Sequence, residues 1–213
     1  MISRKVTKPL LRGYFHEWMF FISVGACIPL IANSSNSIEL ASTIIYSIGV
    51  CMMFGFSALY HRVDWRSRVL IIMRRLDHSA IFVMIAGSFT PICLLVLPGN
   101  TGIQLLFIIW IIAGIGILQT VLFTETPRLI RAGIYLVAGY MAIPYLSVMF
   151  SVMSMTNFIL TAASGTIYTV GAIGYGFQFP DISPKYFGYH EFFHILVSIA
   201  AVLHFIVIYS IVG

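Results

Sequence analysis

Charge is what this chain has least of. Only 9% of its 213 residues are charged, and just seven are acidic, where a soluble domain would carry about a quarter charged residues. So few charges cannot coat a wetted surface, which excludes an ordinary soluble globular protein. Cysteine is scarce as well. Cys27, Cys51 and Cys93 sit in apolar stretches, at spacings that fit no zinc or redox motif, and read as small buried apolar residues. No internal repeat of solenoid or propeller type is present. Nor is there a long polar stretch to make a second, soluble domain, so residues 1–213 are expected to form a single unit.

What fills the chain instead is hydrocarbon: 60% of the residues are hydrophobic. A membrane helix needs about 20 mainly apolar residues, and seven such runs occur, at about 18–32, 38–60, 78–97, 103–123, 132–151, 157–177 and 190–212. The first is short and is expected to begin nearer Leu10, with His16 and Glu17 in an interfacial turn. The links carry turn chemistry, as in Asn33-Ser34-Ser35-Asn36-Ser37, Pro98-Gly99-Asn100 and Pro180-Asp181-Ile182-Ser183-Pro184; such short connections make successive helices antiparallel neighbours. The basic start followed by Val24-Gly25-Ala26-Cys27 resembles a lipoprotein signal, but the spans that follow make it a first membrane helix.

The net charge of +5 would suggest a nucleic-acid partner were it not for its placement. Arg4, Lys5, Lys8 and Arg12 precede the first run. Arg62, Arg66, Arg68, Arg74 and Arg75 lie near the link between the second and third, Arg128 and Arg131 between the fourth and fifth, and Lys185 between the sixth and seventh. These are all 12 basic residues, and alternation puts every one on the same side. The positive-inside rule makes that side cytosolic. The expected fold is an all-α bundle of seven transmembrane helices, multi-pass in the plasma (inner) membrane, with a cytosolic N-terminus and an outer C-terminus. The charge is an orientation signal beside anionic headgroups and calls for no nucleic acid.

Ionisable groups at membrane depth are costly and mark function. Ser57 and His61 close the second run, Asp77 and His78 open the third, and His190, Glu191 and His194 open the seventh, so the topology brings them to one depth. Histidines four apart on a helix lie about 6 Å apart on one face and can grip one metal ion. His61 is the natural third ligand, and three imidazoles with an open position make a catalytic zinc site. Asp77 would then hold or deprotonate a water, and Ser57 would hydrogen bond from behind. The bland readings are a metal-free histidine network or a zinc that only staples helices, Asp77 as a helix cap or a partner of Arg74 or Arg75, and Ser57 as a small contact residue. His190-Glu191 formally matches H-E-x-x-H, yet Glu191 reads better as a wetted helix start favouring the dipole. His204, about 21 Å along the helix from His190, is expected to hydrogen bond between helices. His16 is expected to be solvated at the interface, and His78 to reach a headgroup or to support Asp77. Gly171, Gly174 and Gly176 would admit a close helix or lipid chain.

Ser57-Ala58-Leu59-Tyr60-His61, Arg75-Leu76-Asp77-His78-Ser79, Ala86-Gly87-Ser88-Phe89-Thr90-Pro91 and Phe187-Gly188-Tyr189-His190-Glu191-Phe192-Phe193-His194 with His204-Phe205 together resemble the haemolysin III family. That family is grouped with the progestin and adipoQ receptors, adiponectin receptors among them. The resemblance runs over nearly the whole chain. It departs at Gly139-Tyr140, where Gly-Trp is usual, and at Ala163-Ser164, where paired glycines are common. It implies seven helices, a zinc ion near the cytosolic face on His61, His190 and His194, and Asp77 and Ser57 beside the metal and its water. Receptor relatives carry ceramide-hydrolysing activity, and bacterial relatives are linked to membrane fluidity and haemolysis. The receptors' long N-terminal extension is missing from this sequence, so a hormone-receptor role is not expected. Three functions compete: a zinc-dependent hydrolase of a lipid amide or ester tied to membrane homeostasis, a non-enzymatic lipid or fluidity sensor with structural zinc, and, last, a pore-forming haemolysin. A secreted pore former must first be soluble, and no amphipathic helix that could insert late is present. A membrane lipid is the expected substrate or ligand.

Overall fold

The computed structural model describes residues 8–213 except Pro184; Arg4 and Lys5 of the basic start, and Pro184 of the last link, lie outside the described residues. Eight α-helices follow in order: α1 Tyr14–Ala32, α2 Ser37–Arg62, α3 Ser67–Pro91, α4 Gly99–Leu122, α5 Arg128–Tyr140, α6 Leu146–Val152, α7 Met155–Phe177 and α8 Tyr189–Ser210. A π-helical turn, Ile92–Val96, extends α3, and a 3-10 turn, Ile143–Tyr145, joins α5 to α6. By length and composition seven segments among the described residues can cross a membrane, with α5 and α6 together making the fifth. The protein is therefore a multi-pass, all-α membrane protein. Its outward faces suit lipid: Phe21, Ile28, Phe107, Ile111 and Ile115 are all more than half exposed, where hydrocarbon chains rather than water would meet them.

Two boundaries differ from the hydropathy reading. The third helix begins eleven residues before His78, so Asp77 lies inside it and the helix-cap reading of Asp77 falls. Arginine is a good helix former, and Arg68, Arg74 and Arg75 do not end a helix that can run out of the hydrocarbon. The third span has 30 residues, about 45 Å of helix against a core about 30 Å thick. The fifth span breaks in the middle because Pro144, within the 3-10 turn, has no N–H for the helical ladder.

Local signals place the helix ends. The Asn36 side chain accepts from the Ile38 and Glu39 amides at 3.0 Å each and starts α2 as an N-cap; Ser154 accepts from the Asn157 amide at 3.2 Å and starts α7. Basic side chains gather where α1, α3, α5 and α8 begin. There Arg62 meets Glu17 at 2.9 Å, Arg74 donates to the Thr124 carbonyl, and Arg128 reaches the Tyr189 hydroxyl at 2.9 Å.

Helices α2 and α3, which carry His61 and Asp77, touch through glycine. A Cβ on Gly49 would stand 3.0 Å from the Val83 carbonyl oxygen, and one on Gly87 would stand 3.1 Å from that of Ile45. Both obstacles are backbone and cannot swing away, which is why small residues let membrane helices meet. Leucine at Gly87 is expected to cost about 1–3 kcal/mol, the usual range for overpacking, and to part His61 from Asp77. Thermal unfolding in detergent, with metal affinity measured alongside, checks both effects.

Candidate metal centre

The end of α2 and the start of α8 bring three imidazoles together. One ring nitrogen from each of His61, His190 and His194 lies within 4.8 Å of the others. His190 Nε2 and His61 Nε2 are 3.1 Å apart. The ring centroids form a triangle with sides of 4.6, 4.6 and 5.1 Å. The two α8 histidines share a face because four residues make about one turn; His61 arrives because α2 ends in the same basic layer where α8 begins. Nitrogens 3.1 Å apart either share a proton or aim lone pairs at a common cation. A tetrahedral zinc with Zn–N bonds of about 2.0–2.1 Å has edges of about 3.3 Å between its donors, close to the separation found. His194 Nδ1 is buried with no hydrogen-bond partner, the kind of orphan a buried network does not leave without a reason. The trio can hold a metal ion, and its chemistry suits zinc.

Asp77 is buried beside them, with Oδ2 3.9 Å from His61 Nε2 and 3.9 Å from His78 Nε2. The ion pair with Arg74 or Arg75 is not formed; Arg74 turns instead to Thr124 and Glu125. His78 Nε2 accepts from the Arg131 guanidinium at 3.2 Å, so at 3.9 Å it gives Asp77 no hydrogen bond. Ser57 Oγ bonds to His16 Nδ1 at 2.8 Å, one turn before His61 on α2.

Two expectations are corrected here. His16 is not solvated: it is 2% exposed and stacks on His194, with centroids 3.8 Å apart and planes 9° from parallel. Its position three residues into α1 suggested the interface, but the segment before α1 folds over the bundle, and Leu10 and Leu11 donate to the Lys185 and Tyr186 carbonyls at 3.0 and 3.2 Å. Glu191 does stand in the first turn of α8, but it is fully buried rather than wetted. It accepts from the Gly188 amide at 2.8 Å and from Arg12 Nε. A buried carboxylate needs a charged partner, and one of the basic residues read as orientation signals supplies it.

The trio opens onto a cavity of about 180 Å³. His16, Ser57, His61, Asp77, His190 and His194 line one end; Met53, Ile85, Phe89, Phe193 and Val197 are among its apolar walls; Ser88, Thr161, Ser164 and His204 line it further along α8. Gly139 and Gly165 also border it, and a Cβ on either would meet nothing within 4 Å. The close approach of another helix expected of the α7 glycines is present at two of them: a Cβ on Gly171 would lie 3.3 Å from Leu196 Cβ and one on Gly176 3.1 Å from Leu129, whereas one on Gly174 would meet, at 2.6 Å, the carbonyl of Phe179 just past the end of α7.

Comparison with known proteins gives the family. The family model described as Haemolysin-III related matches residues 4–205. The chain is 30% identical over 173 residues to the hemolysin-3 homolog of Bacillus subtilis, covering 80% of this chain and 81% of that one. It is 26% identical over 204 residues to the human monocyte to macrophage differentiation factor, covering 92% of this chain and 81% of that one. It is 27% identical over 203 residues to the adiponectin receptor protein of Drosophila melanogaster, covering 85% of this chain but 46% of the receptor. The chain belongs to the haemolysin III family, within the superfamily that also holds the adiponectin receptors.

Proposed function

We propose that this protein is a zinc-dependent membrane hydrolase that cleaves an amide or ester bond of a lipid. The observation that carries the reading is the convergence of three histidine nitrogens within 4.8 Å, beside a buried carboxylate, at one end of a mostly apolar cavity. His61, His190 and His194 would hold the ion. A zinc ion there supplies Lewis-acid polarisation of a carbonyl oxygen and makes water acidic near neutral pH.

The rest falls to the chain. The apolar walls receive a lipid chain and exclude water, which strengthens every polar interaction at the centre. Asp77 Oδ2 takes a proton from the attacking water as its oxygen bonds to the carbonyl carbon. The C–N or C–O bond then breaks, and Asp77 returns the proton to the departing amine or alkoxide. Ser57, held by His16, offers its hydroxyl to the reacting water from one turn before His61. Gly139 and Gly165 leave the wall between α5 and α7 open, so a substrate dissolved in the bilayer can enter sideways. The basic layer, by the positive-inside rule, supports a centre on the cytosolic side of the plasma membrane, with the N-terminus inside and the whole chain acting as one domain.

Asp77→Asn keeps the shape of the side chain and removes the base. Turnover is expected to fall by about 10²–10⁴-fold while zinc content stays at the wild-type level. Fatty-acid release from ceramide-like amides and phospholipid esters, read by mass spectrometry, is the check. Zinc-loaded wild type that releases nothing from either class would leave the lipid-sensor reading in its place.

A further inference from the structure

His204 lies ten residues beyond His194 on α8, about 15 Å along the helix axis. It is buried, and it lines the cavity with Ser88 of α3 and Ser164 of α7. As expected from its position, it bonds between helices. His204 Nε2 is 3.2 Å from the Ser88 carbonyl oxygen. A carbonyl can only accept, so Nε2 carries the proton and Nδ1 is left with a bare lone pair. Ser88 is free to receive that bond because the helix is disturbed here. The Ile92 amide, its usual donor, bonds to Phe89 instead at the start of the π turn after Pro91.

Nδ1 faces Ser164 Oγ at 3.5 Å, too long for a firm bond. Ser164 also has only one proton to give, and its hydroxyl donates to the Thr161 carbonyl at 2.8 Å. His204 Nδ1 is therefore an acceptor without a donor. The Ser88 hydroxyl, which lines the same cavity, makes no hydrogen bond among the described residues, so it still has a proton to donate.

We propose that this end of the cavity is a second polar subsite that binds a hydroxyl group carried part-way along a lipid chain. A hydroxyl is the ligand that satisfies both groups, donating to His204 Nδ1 and accepting from Ser88 Oγ; a carbonyl or ether would leave the histidine unpaired, and a bare methylene would leave both. The subsite rests on the reading that the cavity holds a lipid chain with its reacting head at the histidine trio. It sets which chain is preferred, and it takes no part in the chemistry.

The test is binding of stearic acid and of two hydroxystearic acids, one with the hydroxyl at mid-chain and one with it next to the carboxyl, to the full-length protein in detergent. The mid-chain isomer is expected to bind about tenfold more tightly than the other two, the worth of a hydrogen bond that relieves buried unpaired groups. Ser88→Ala and His204→Phe should each erase that preference while keeping wild-type affinity for stearic acid, which also shows that the variants are folded. Equal binding of all three acids overturns the subsite, as when a water alone completes the pair, but leaves the lipid cavity standing. A mid-chain preference that survives both substitutions overturns it too. Failure of every acid to bind overturns both the subsite and the lipid-cavity reading on which it rests.

Discussion

Alanine at His190 or at His194 is expected to strip the protein of zinc that the wild type holds at about one ion per chain. Zinc bound by a closed set of protein donors is worth roughly 10–16 kcal/mol. Losing one of three imidazoles should remove about a third of that, on the order of 10²–10⁴-fold in affinity. His61→Ala should match them, because its Nε2 stands 3.1 Å from that of His190 and no other buried imidazole can swing into its place. His16 is the nearest alternative, but it is stacked flat on His194 and tied to Ser57. His204→Ala is the matched control: it removes an equally buried imidazole about 15 Å along α8 and should leave metal content unchanged. Elemental analysis of the detergent-purified variants reads the result. Wild type that stays metal-free after zinc is supplied would remove the hydrolase reading and leave a histidine-stapled lipid binder. Loss of zinc on changing His204 as well would show that the effect is general unfolding.

The architecture and the clustering of the three histidines were both readable from the chain because they rest on rules that act over short distances. Seven apolar runs, turn residues between them and basic residues on alternate links determine which helix ends share a layer. Four-residue spacing then pairs His190 with His194, and the layer delivers His61 and Asp77. What escaped depends on contacts far apart in sequence. Nothing in the neighbourhood of His16 distinguishes a solvated interfacial histidine from one buried against His194, because its burial comes from the segment at Leu10 and Leu11 bonding to Lys185 and Tyr186. Arg74 and Arg75 looked like the end of a polar link because hydropathy counts them against a span. A helix that runs out of the bilayer accommodates them, and the boundary moved by eleven residues. Pro144 was a visible warning of the break in the fifth span, but a proline in an apolar run can also only kink a helix, and the sequence alone does not choose. For His204 the depth and the bonding role follow from its place in the seventh run; the unspent lone pair depends on where Ser164, on another helix, spends its proton.

Arg12→Met is expected to destabilise the protein by about 3–5 kcal/mol, the range for stranding one member of a buried ion pair. Glu191 is fully buried while the Arg12 side chain is 18% exposed, so the two single changes should not be equal. Methionine at 12 leaves a carboxylate sealed beneath the start of α8 with only the Gly188 amide to answer it. Glutamine at 191 leaves a guanidinium that can still reach water, and the new amide oxygen can still accept from Gly188, so Glu191→Gln should cost less, about 1–2 kcal/mol. Combining the two changes removes both charges at once and should recover most of the loss, giving a favourable coupling in a double-mutant cycle. Denaturant or thermal unfolding in detergent measures all four proteins. A loss below about 1 kcal/mol for Arg12→Met would mean that water reaches Glu191 and that the pair is worth no more than a surface one. The consequence for function follows from position, since Glu191 is the neighbour of His190 and caps the helix on which two of the three imidazoles stand. A carboxylate stranded beneath the start of α8 unseats the helix that carries two of the three imidazoles, so zinc affinity should fall in Arg12→Met together with stability and return in the double variant. Stability that recovers in the double variant without the metal affinity would mean that the Arg12–Glu191 charge pair itself, and not merely a seated helix start, is needed to hold the trio in place.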